Sequence, residues 1–178
     1  MINIDATLEA FISRIIRNKE IMDILNLPTI SKEDNKITID KKRNLLIDKA
    51  ITKTAQVPEE LGKEFKEIEI NNVKYKDYGD TRITVSLVQS IKMNSYIFGN
   101  PQVEINIYYD NTRMKNVFKL VDLIFNEFSG QDLKLELKDN KQLIRNLKCE
   151  GNTSQVAIIN NYERVGIRFS FYATLYKN

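Results

Sequence analysis

The chain of 178 residues contains no histidine and a single cysteine, Cys149. Histidine is the usual general base near neutral pH and the commonest metal ligand. Its absence therefore excludes a Ser-His-Asp triad, a Cys-His pair and a His-ligated zinc site. A single cysteine excludes an internal disulfide and any multi-cysteine metal site. Carboxylate chemistry with magnesium, or a lysine base, remains formally open.

Long apolar runs are absent as well, since no stretch approaches the roughly 18–20 residues that span a bilayer. The first residues, MINIDATLEAF, have neither a basic n-region nor a continuous apolar core. We therefore expect no signal peptide, synthesis in the cytoplasm and no membrane partner.

The composition is typical of a folded globular protein, with 42% hydrophobic and 29% charged residues. A chain of this length is most simply one domain, so we predict a single domain over 1–178. The net charge is +3, and residues 81–178 hold 13 basic against 9 acidic residues. Because the basic residues between 134 and 148 are interspersed with acidic ones, a mixed solvated surface is favoured over a nucleic-acid face.

The clearest structural signal is the alternation of apolar and other residues near the end of the sequence. The apolar residues share one parity: Val165, Ile167, Phe169, Phe171, Ala173 and Leu175. Because a strand sends alternate side chains to opposite faces, this run predicts a sheet with one face covered by helices and one wetter face.

Helical periodicity predicts three helices. They are 5–25 with Asp5 as N-cap, 41–54 with Asp40 as cap, and 112–128 with Asp110, Asn111 or Thr112 as cap and Ser129-Gly130 at its end. The third has a wide apolar stripe made of Met114, Val117, Phe118, Val121, Ile124, Phe125 and Phe128. Residues 29–40 are predicted to be a loop or a short extended piece.

Further strands are predicted over 83–91, 103–109, 133–137, 143–149, 155–159 and 164–176. Turns are predicted at Asp139-Asn140, Gly151-Asn152 and Asn160-Asn161. The fold class that follows is α+β: a mixed, mostly antiparallel sheet with the two main helices, 5–25 and 112–128, packed on one face. An irregular insertion occupies about 55–80, within which Asn71-Asn72 favours a hairpin turn between Phe65 and Tyr75.

Residues with metal-binding or nucleophilic chemistry are interpreted as structural. The acidic group Glu59, Glu60, Glu64, Glu67 and Glu69 lies in polar, poorly patterned sequence, so a solvated face is favoured over a metal site. Asp77 and Asp80 flank Gly79 without the spacing of a calcium loop. Cys149 has no histidine partner, so a buried or half-buried cysteine is favoured over a nucleophile. We predict no catalytic residue, no metal and no cofactor.

Aromatic residues with basic neighbours lie in the predicted loops and are candidate contact residues. Such a group can stack on nucleic acid or anchor a protein interface, and local packing is the alternative. The low net charge favours a protein interface. The candidates are Lys74, Tyr75, Lys76, Tyr78, Tyr96 and Phe98.

The sequence from Asn100 to Tyr176 resembles that of phage tail terminators, which are also called tail completion or minor tail proteins. The resemblance lies in PQVEINIYYDNTRMKNVFKLVDLIFNEFSGQDL and in the closing ERVGIRFSFYATLY. The shared features are a strand that ends in an aromatic pair, a helix of the form xxVxxLVDxI, Ser-Gly, and a long final strand. Residues 29–80 lie outside the resemblance, which leaves a contractile tail or a phage-tail-like bacteriocin particle open.

The resemblance implies a structural protein that forms a homo-oligomeric ring, usually a hexamer, on the tail tube. The ring ends tube polymerisation and docks the head connector or collar, and its other partners are the tube protein and the sheath. Synthesis in a bacterial host and assembly into a virion or tail-like particle would follow. The alternatives are another head–tail connector or baseplate protein and, further off, an enzyme or a nucleic-acid-binding module.

Overall fold

The computed structural model describes residues 3–47, 50–59, 61–63, 67–75, 80–88, 101–136, 140–159 and 162–177. Four helices lie in these ranges: α1 (Ile4–Ile15), α2 (Lys19–Ile24), α3 (Lys36–Leu46) and α4 (Met114–Phe128). The strands are β1 (Ile51–Thr52), β2 (Ile68–Ile70), β3 (Val73–Tyr75), β4 (Thr81–Val88), β5 (Gln102–Asp110), β6 (Leu133–Glu136), β7 (Asn140–Ile159) and β8 (Tyr162–Lys177).

Six of the strands form one sheet in the order β1-β4-β5-β8-β7-β6, and β2 and β3 form a separate hairpin. β1 is parallel to β4, whereas the other pairs of the large sheet are antiparallel. The predicted α+β class with a mixed, mostly antiparallel sheet is therefore confirmed.

The helices α1 and α4 pack on the same face of the sheet, as predicted. Phe11 of α1 stacks on Phe128 of α4 with ring centroids 4.7 Å apart, and both rings lie against Phe169 of β8. All three side chains are fully buried. Aromatic pairs in this geometry contribute about 0.5–1.5 kcal/mol beyond the burial of their area. We call this side of the sheet the helix-side face.

The single helix predicted over 5–25 is wrong, because the chain forms α1 and α2 with a break at 16–18. Asn3 and Asn18 are the N-caps, and their side chains accept hydrogen bonds from the N–H groups of Ala6 and Ile21. Asp5 lies within the first turn of α1 instead of capping it. The apolar periodicity continues across the break, so only Asn18, the N-cap of α2, indicated the interruption in the sequence.

The helix predicted over 41–54 is also displaced. Helix α3 begins after Asn35, whose side chain accepts a hydrogen bond from the N–H of Thr38, and Asp40 lies inside the helix. The extended piece predicted over 29–40 is therefore helical in its last residues. Ile51 and Thr52 form β1, because they find a parallel partner in Ile83 and Thr84 of β4. That partner is about thirty residues away in the sequence, so local pattern could not indicate it.

The end of α4 agrees with the prediction, whereas its start lies two residues later than predicted, at Met114 after Arg113. The side chain of Asp110 accepts a hydrogen bond from the N–H of Thr112 in a short 3-10 turn that leads into α4. Gly130 has φ of 73° just after the helix, a conformation that costs glycine little.

The two strands predicted over 143–149 and 155–159 are one strand, β7, so the turn predicted at Gly151-Asn152 is wrong. The pairing of β7 with β8 continues through this point with a register shift between Cys149 and Gly151. Gly151 has φ of 127°, which a bulge in a continuous ribbon accommodates. The turn predicted at Asn160-Asn161 lies outside the described residues, as does Asp139 of the turn at Asp139-Asn140.

The expectation that the other face of the sheet is the wetter one is wrong at the centre of the sheet. On this second face Arg82, Thr84 and Asn106 have no exposed surface. Part of the 55–80 insertion lies here: the carbonyl of Lys63 accepts a hydrogen bond from Arg82 Nη2 at 3.2 Å. Gly62 lies so close to Tyr162 that an added Cβ would be 3.3 Å from its hydroxyl oxygen. The insertion therefore contributes a cover for the second face.

Candidate functional site

The predicted interface residues Lys74 and Tyr75 lie on β3 of the hairpin. Asn71 and Asn72 form its turn with φ of 52° and 63°, which confirms the predicted hairpin. Lys74 Nζ lies 2.9 Å from Glu67 Oε1, and both side chains are largely exposed, so this ion pair adds little stability. Tyr75 is half-buried, so only part of its ring is available for contact.

The other four predicted interface residues are Lys76, Tyr78, Tyr96 and Phe98, and they lie outside the described residues. The structure thus places Lys74 and Tyr75 at consecutive positions of one short strand, where successive side chains point to opposite faces, and leaves the grouping of all six as a prediction. Val73 adds an exposed apolar side chain to the same strand.

A second surface, which we call the α4 stripe, consists of Met114, Phe118 and Phe125. Their exposed fractions are 43%, 62% and 42%. The sequence pattern grouped them with Val117, Val121, Ile124 and Phe128 on one wide apolar stripe. A helix places residues four and seven apart on one side, and the apolar arc of α4 is wider than the sheet beneath it can cover. The sheet therefore buries one part of the predicted stripe and leaves these three residues exposed.

Several polar side chains of the second face are hydrogen-bonded to one another. Arg168 Nε donates to Glu104 Oε1 at 2.8 Å, and Asn106 Nδ2 donates to Glu104 Oε2 at 3.2 Å. Ser170 Oγ donates to Glu150 Oε1. Glu104 is buried, and burial of its carboxylate is tolerated because Arg168 and Asn106 donate hydrogen bonds to its two oxygens.

One row across the second face holds oxygen atoms that have no hydrogen-bond partner in the part of the chain that the structure describes. Thr52, Thr84 and Asn106 are direct neighbours on β1, β4 and β5. Among the described residues, Thr52 Oγ1, Thr84 Oγ1 and Asn106 Oδ1 are buried and make no hydrogen bond. The next residue in the row is Gly166 of β8, which has no side chain to reach them. Neither the period-2 pattern nor any residue type in the sequence indicated this row.

Burial and neighbouring groups shift the pKa values of several side chains. Tyr109 donates its hydroxyl to Glu163 Oε2 at 2.8 Å, and burial together with this carboxylate raises the pKa of Tyr109 to about 12. Burial also raises the pKa of Tyr162, with Asp110 and Asp80 adding to the effect. The hydrogen bond from Lys42 lowers the pKa of Asp34. These shifts keep each group in its ordinary protonation state at neutral pH, which suits a structural role.

The predicted metal and nucleophile candidates have ordinary surroundings. Within the described ranges, no three acidic or cysteine side chains are grouped so that they could hold a metal ion. Glu59, Glu67 and Glu69 are exposed, and Glu60 and Glu64 lie outside the described residues. Asp80 Oδ2 accepts a hydrogen bond from Arg113 Nε at 2.7 Å. Cys149 is a free, half-buried cysteine, as predicted.

Concave regions also lie between the elements of the described residues. A cleft of about 220 Å³ lies between the end of α2 and the start of α4, next to the Asp80–Arg113 ion pair. A larger open groove, of about 490 Å³, runs between α1 and β6. Neither was anticipated from the sequence, because both arise where elements distant in the chain meet.

Comparison with known proteins leaves the family open, since no protein-family model and no curated protein matches the chain.

The helices in the described ranges are all too short or too polar to cross a bilayer.

Proposed function

We propose that the chain is a structural protein of a phage tail or a phage-tail-like particle. It caps the tail tube as a ring of identical copies, ends tube polymerisation and presents a surface for the head connector or collar. The proposal includes synthesis in a bacterial host cytoplasm, assembly into the particle and the absence of a reaction centre.

The arrangement of the resembling segment supports the proposal. The strand, helix and long final strand of the resemblance correspond to β5, α4 and β8. β5 and β8 pair directly from Gln102↔Ser170 to Asp110↔Tyr162, and α4 packs above them. The residues that carry the resemblance therefore form one structural unit. Scattered fragments that happened to resemble the family would not need to pack together.

The observation that carries the proposal is the α4 stripe. Phe118 and Phe125 are exposed aromatic residues that flank the buried side of a helix whose inner residues already fill the core. Aromatic residues and methionine are enriched where proteins contact each other, and clustered exposed apolar residues mark such contacts. A protein that works by contact with its own copies and with a tube needs surfaces of this kind.

A ring also needs two different surfaces on each copy. In a head-to-tail ring, one patch of each copy meets a different patch of the next, and the ring closes when the rotation does. The α4 stripe supplies one such patch, and the hairpin with Lys74 and Tyr75 lies on a separate element. The six predicted contact residues remain part of this proposal.

The native mass at low micromolar concentration tests the proposal. We expect a multiple of the 20.8 kDa chain mass and uniform rings by negative-stain electron microscopy. The double variant Phe118→Ser/Phe125→Ser should keep the fold and shift the mass towards that of one copy. The matched control Lys115→Ser/Lys119→Ser changes two exposed positions of the same helix and should keep the ring.

Other outcomes separate the alternatives. A wild-type chain that stays monomeric and binds DNA with a steep salt dependence would favour a nucleic-acid-binding module and contradict the proposal. A ring that binds baseplate or connector proteins and leaves tube growth unchanged would favour the connector or baseplate alternative. Substrate turnover that is lost when one acidic residue is replaced would favour an enzyme.

A further inference from the structure

The groove between α1 and β6 combines a free strand edge with a helix face of small residues. In the described part of the chain, β6 is the last strand of the sheet and pairs with β7 alone. The outer edge of a terminal strand presents backbone N–H and C=O groups that another strand can pair with. The four residues of β6 offer roughly 13 Å of edge at about 3.3 Å per residue.

The helix that faces this edge leaves room for a further strand. Ala6, Ala10 and Ser13 lie four and three residues apart on α1, so they share one side of the helix, and all three line the groove. None has a side chain longer than two heavy atoms. The groove volume of about 490 Å³ is within the range of ligand-binding sites, about 300–1,000 Å³.

The charges that line the groove indicate the charge of a segment that would bind there. The acid Glu9 is paired with Lys53 Nζ at 3.2 Å, and Arg14 is paired with Glu127 at 2.7 Å. Asp132 Oδ1 accepts a hydrogen bond from the N–H of Asn146.

Two exposed cations, Arg43 and Lys134, also line the groove, and among the described residues neither has an ion-pair partner. Asp132 accepts its hydrogen bond from a neutral N–H and keeps its negative charge, so the lining has one net positive charge, with two exposed cations beside an open strand edge. Electrostatic complementarity favours an acidic occupant.

We propose that this groove binds an extended acidic segment of another protein, which adds a strand to the outer edge of β6. Backbone hydrogen bonds to β6 would supply affinity, and Arg43 and Lys134 would select acidic side chains. This surface lies on α1 and β6, away from the α4 stripe, so the proposal is tested separately from ring formation.

The test is a titration of the full chain against a dye-labelled peptide, acetyl-Glu-Val-Glu-Val-Glu-Val-Glu-amide, followed by fluorescence anisotropy. Its twin has lysine in place of each glutamate. We expect the acidic peptide to bind at least tenfold more tightly than the twin, with weaker binding as salt is raised. Equal affinity for the twins, or no binding of the acidic peptide up to millimolar concentration, overturns the proposal.

Variants distinguish the groove from general charge attraction. Arg43→Glu/Lys134→Glu should lower the affinity at least tenfold. The control Lys115→Glu/Lys119→Glu changes the net charge by the same amount on exposed positions of α4 and should bind almost as well as the unaltered chain. A similar loss in both double variants would mean non-specific attraction and overturn the proposal.

Strand addition and occupancy of the groove have their own readouts. Amide hydrogen exchange of 133–136 should slow when the peptide binds, and binding without that protection overturns strand addition. Ala10→Phe fills the groove without a change in charge and should weaken binding, while circular dichroism verifies that the helices are intact. If Ala10→Phe disrupts the helices, Ser13→Phe tests the same point one turn along α1.

Discussion

The two faces of the sheet are buried to a similar degree at the centre, but they are built from opposite chemistry. On the helix-side face, Ile83, Ile105 and Ile167 are fully buried in one apolar cluster. On the second face, Arg82, Thr84 and Asn106 are equally inaccessible. The apolar cluster is stabilised by burial and close packing, and the hydrophobic effect does not depend on the relative orientation of the groups. The polar face depends on hydrogen bonds, which must be formed with defined geometry.

The comparison teaches that burial alone does not reveal what stabilises a layer. Glu104 is satisfied by Arg168 and Asn106, whereas Thr84 Oγ1 in the neighbouring row makes no hydrogen bond among the described residues. An unsatisfied buried group costs about 1–3 kcal/mol. We therefore expect truncation to destabilise the helix-side face strongly, and the second face to respond with either sign according to the group removed.

The largest effect should come from Phe128→Ala on the helix-side face. The substitution removes a fully buried ring that contacts Phe11 and Phe169, and such changes cost about 3–5 kcal/mol. Asn126→Ala, two residues earlier on the same helix, is the control and should change the stability by under about 0.5 kcal/mol because Asn126 is exposed. Urea unfolding with an unchanged m-value measures both. Equal losses would contradict the assignment of the two sides of α4.

A smaller effect should come from alkaline pH, through Tyr109 at the rim of the helix-side face. Its pKa is raised to about 12, above the ordinary value of about 10. The unfolded chain therefore loses this proton at lower pH than the folded protein, and the stabilising contribution is present below pH 10 and lost between about pH 10 and 12. The free energy of unfolding should fall by up to about 1.4 kcal/mol per pH unit in that window.

Tyr109→Phe is the matched variant, since it removes the ionisable group and keeps the ring. It should reduce the slope between pH 10 and 12 without abolishing it, because the pKa of Tyr162 is raised as well. Urea unfolding at several pH values measures the slope. An unchanged slope in the variant would mean that Tyr109 is not held protonated by its surroundings.

On the second face, Glu104→Gln should destabilise the protein by about 1–2 kcal/mol. The variant keeps the shape of the side chain but removes the charge that Arg168 and Asn106 satisfy, and hydrogen bonds to charged groups contribute about 1.5–3 kcal/mol. We expect the lower part of that range because the Arg168 side chain is 40% exposed and partly solvated. A double-mutant cycle with Arg168→Gln isolates the pair, and a coupling energy near zero contradicts its role.

The smallest and most informative effect should come from Thr84→Val. Because the Thr84 hydroxyl is buried and has no hydrogen-bond partner among the described residues, its replacement by a methyl group of similar size should stabilise the protein by about 1 kcal/mol. Thr84→Ser keeps the hydroxyl, removes a methyl group and should destabilise. Thermal unfolding of both variants gives the sign. A destabilised Thr84→Val would show that the hydroxyl is satisfied in solution and that the row is a complete polar network.

The prediction from sequence succeeded where a pattern is long and local. The alternation in β5 and β8, and the apolar periodicity of α4 with its Asp110 and Gly130 boundaries, each extend over at least two turns or four strand positions. It failed at α1 to α3, where asparagine caps and apolar residues left several boundaries compatible with the same pattern. It also failed at β1, because a strand of two residues has no period of its own.

The candidate surfaces divide in the same way. Lys74 and Tyr75 were identified by residue type and lie together on a hairpin that the Asn71-Asn72 turn indicated. The exposure of Phe118 and Phe125 could not be read from α4, because exposure depends on how much of the helix the sheet covers. The groove with Arg43 and Lys134 joins residues about ninety positions apart, so no local pattern contains it.

The sequence by itself determined the class of this protein: the absence of histidine removes much of the usual catalytic and metal chemistry, and the two periodicities specify helices on an antiparallel sheet. Local periodicity carries this information because the geometry of a helix or strand repeats every few residues. The tertiary structure alone decided that both faces of the sheet are buried at its centre, that one row of oxygens lacks partners among the described residues and that an open groove lies beside β6. These features depend on which distant segments of the chain meet. The period of apolar residues along the sequence carries no information about such contacts.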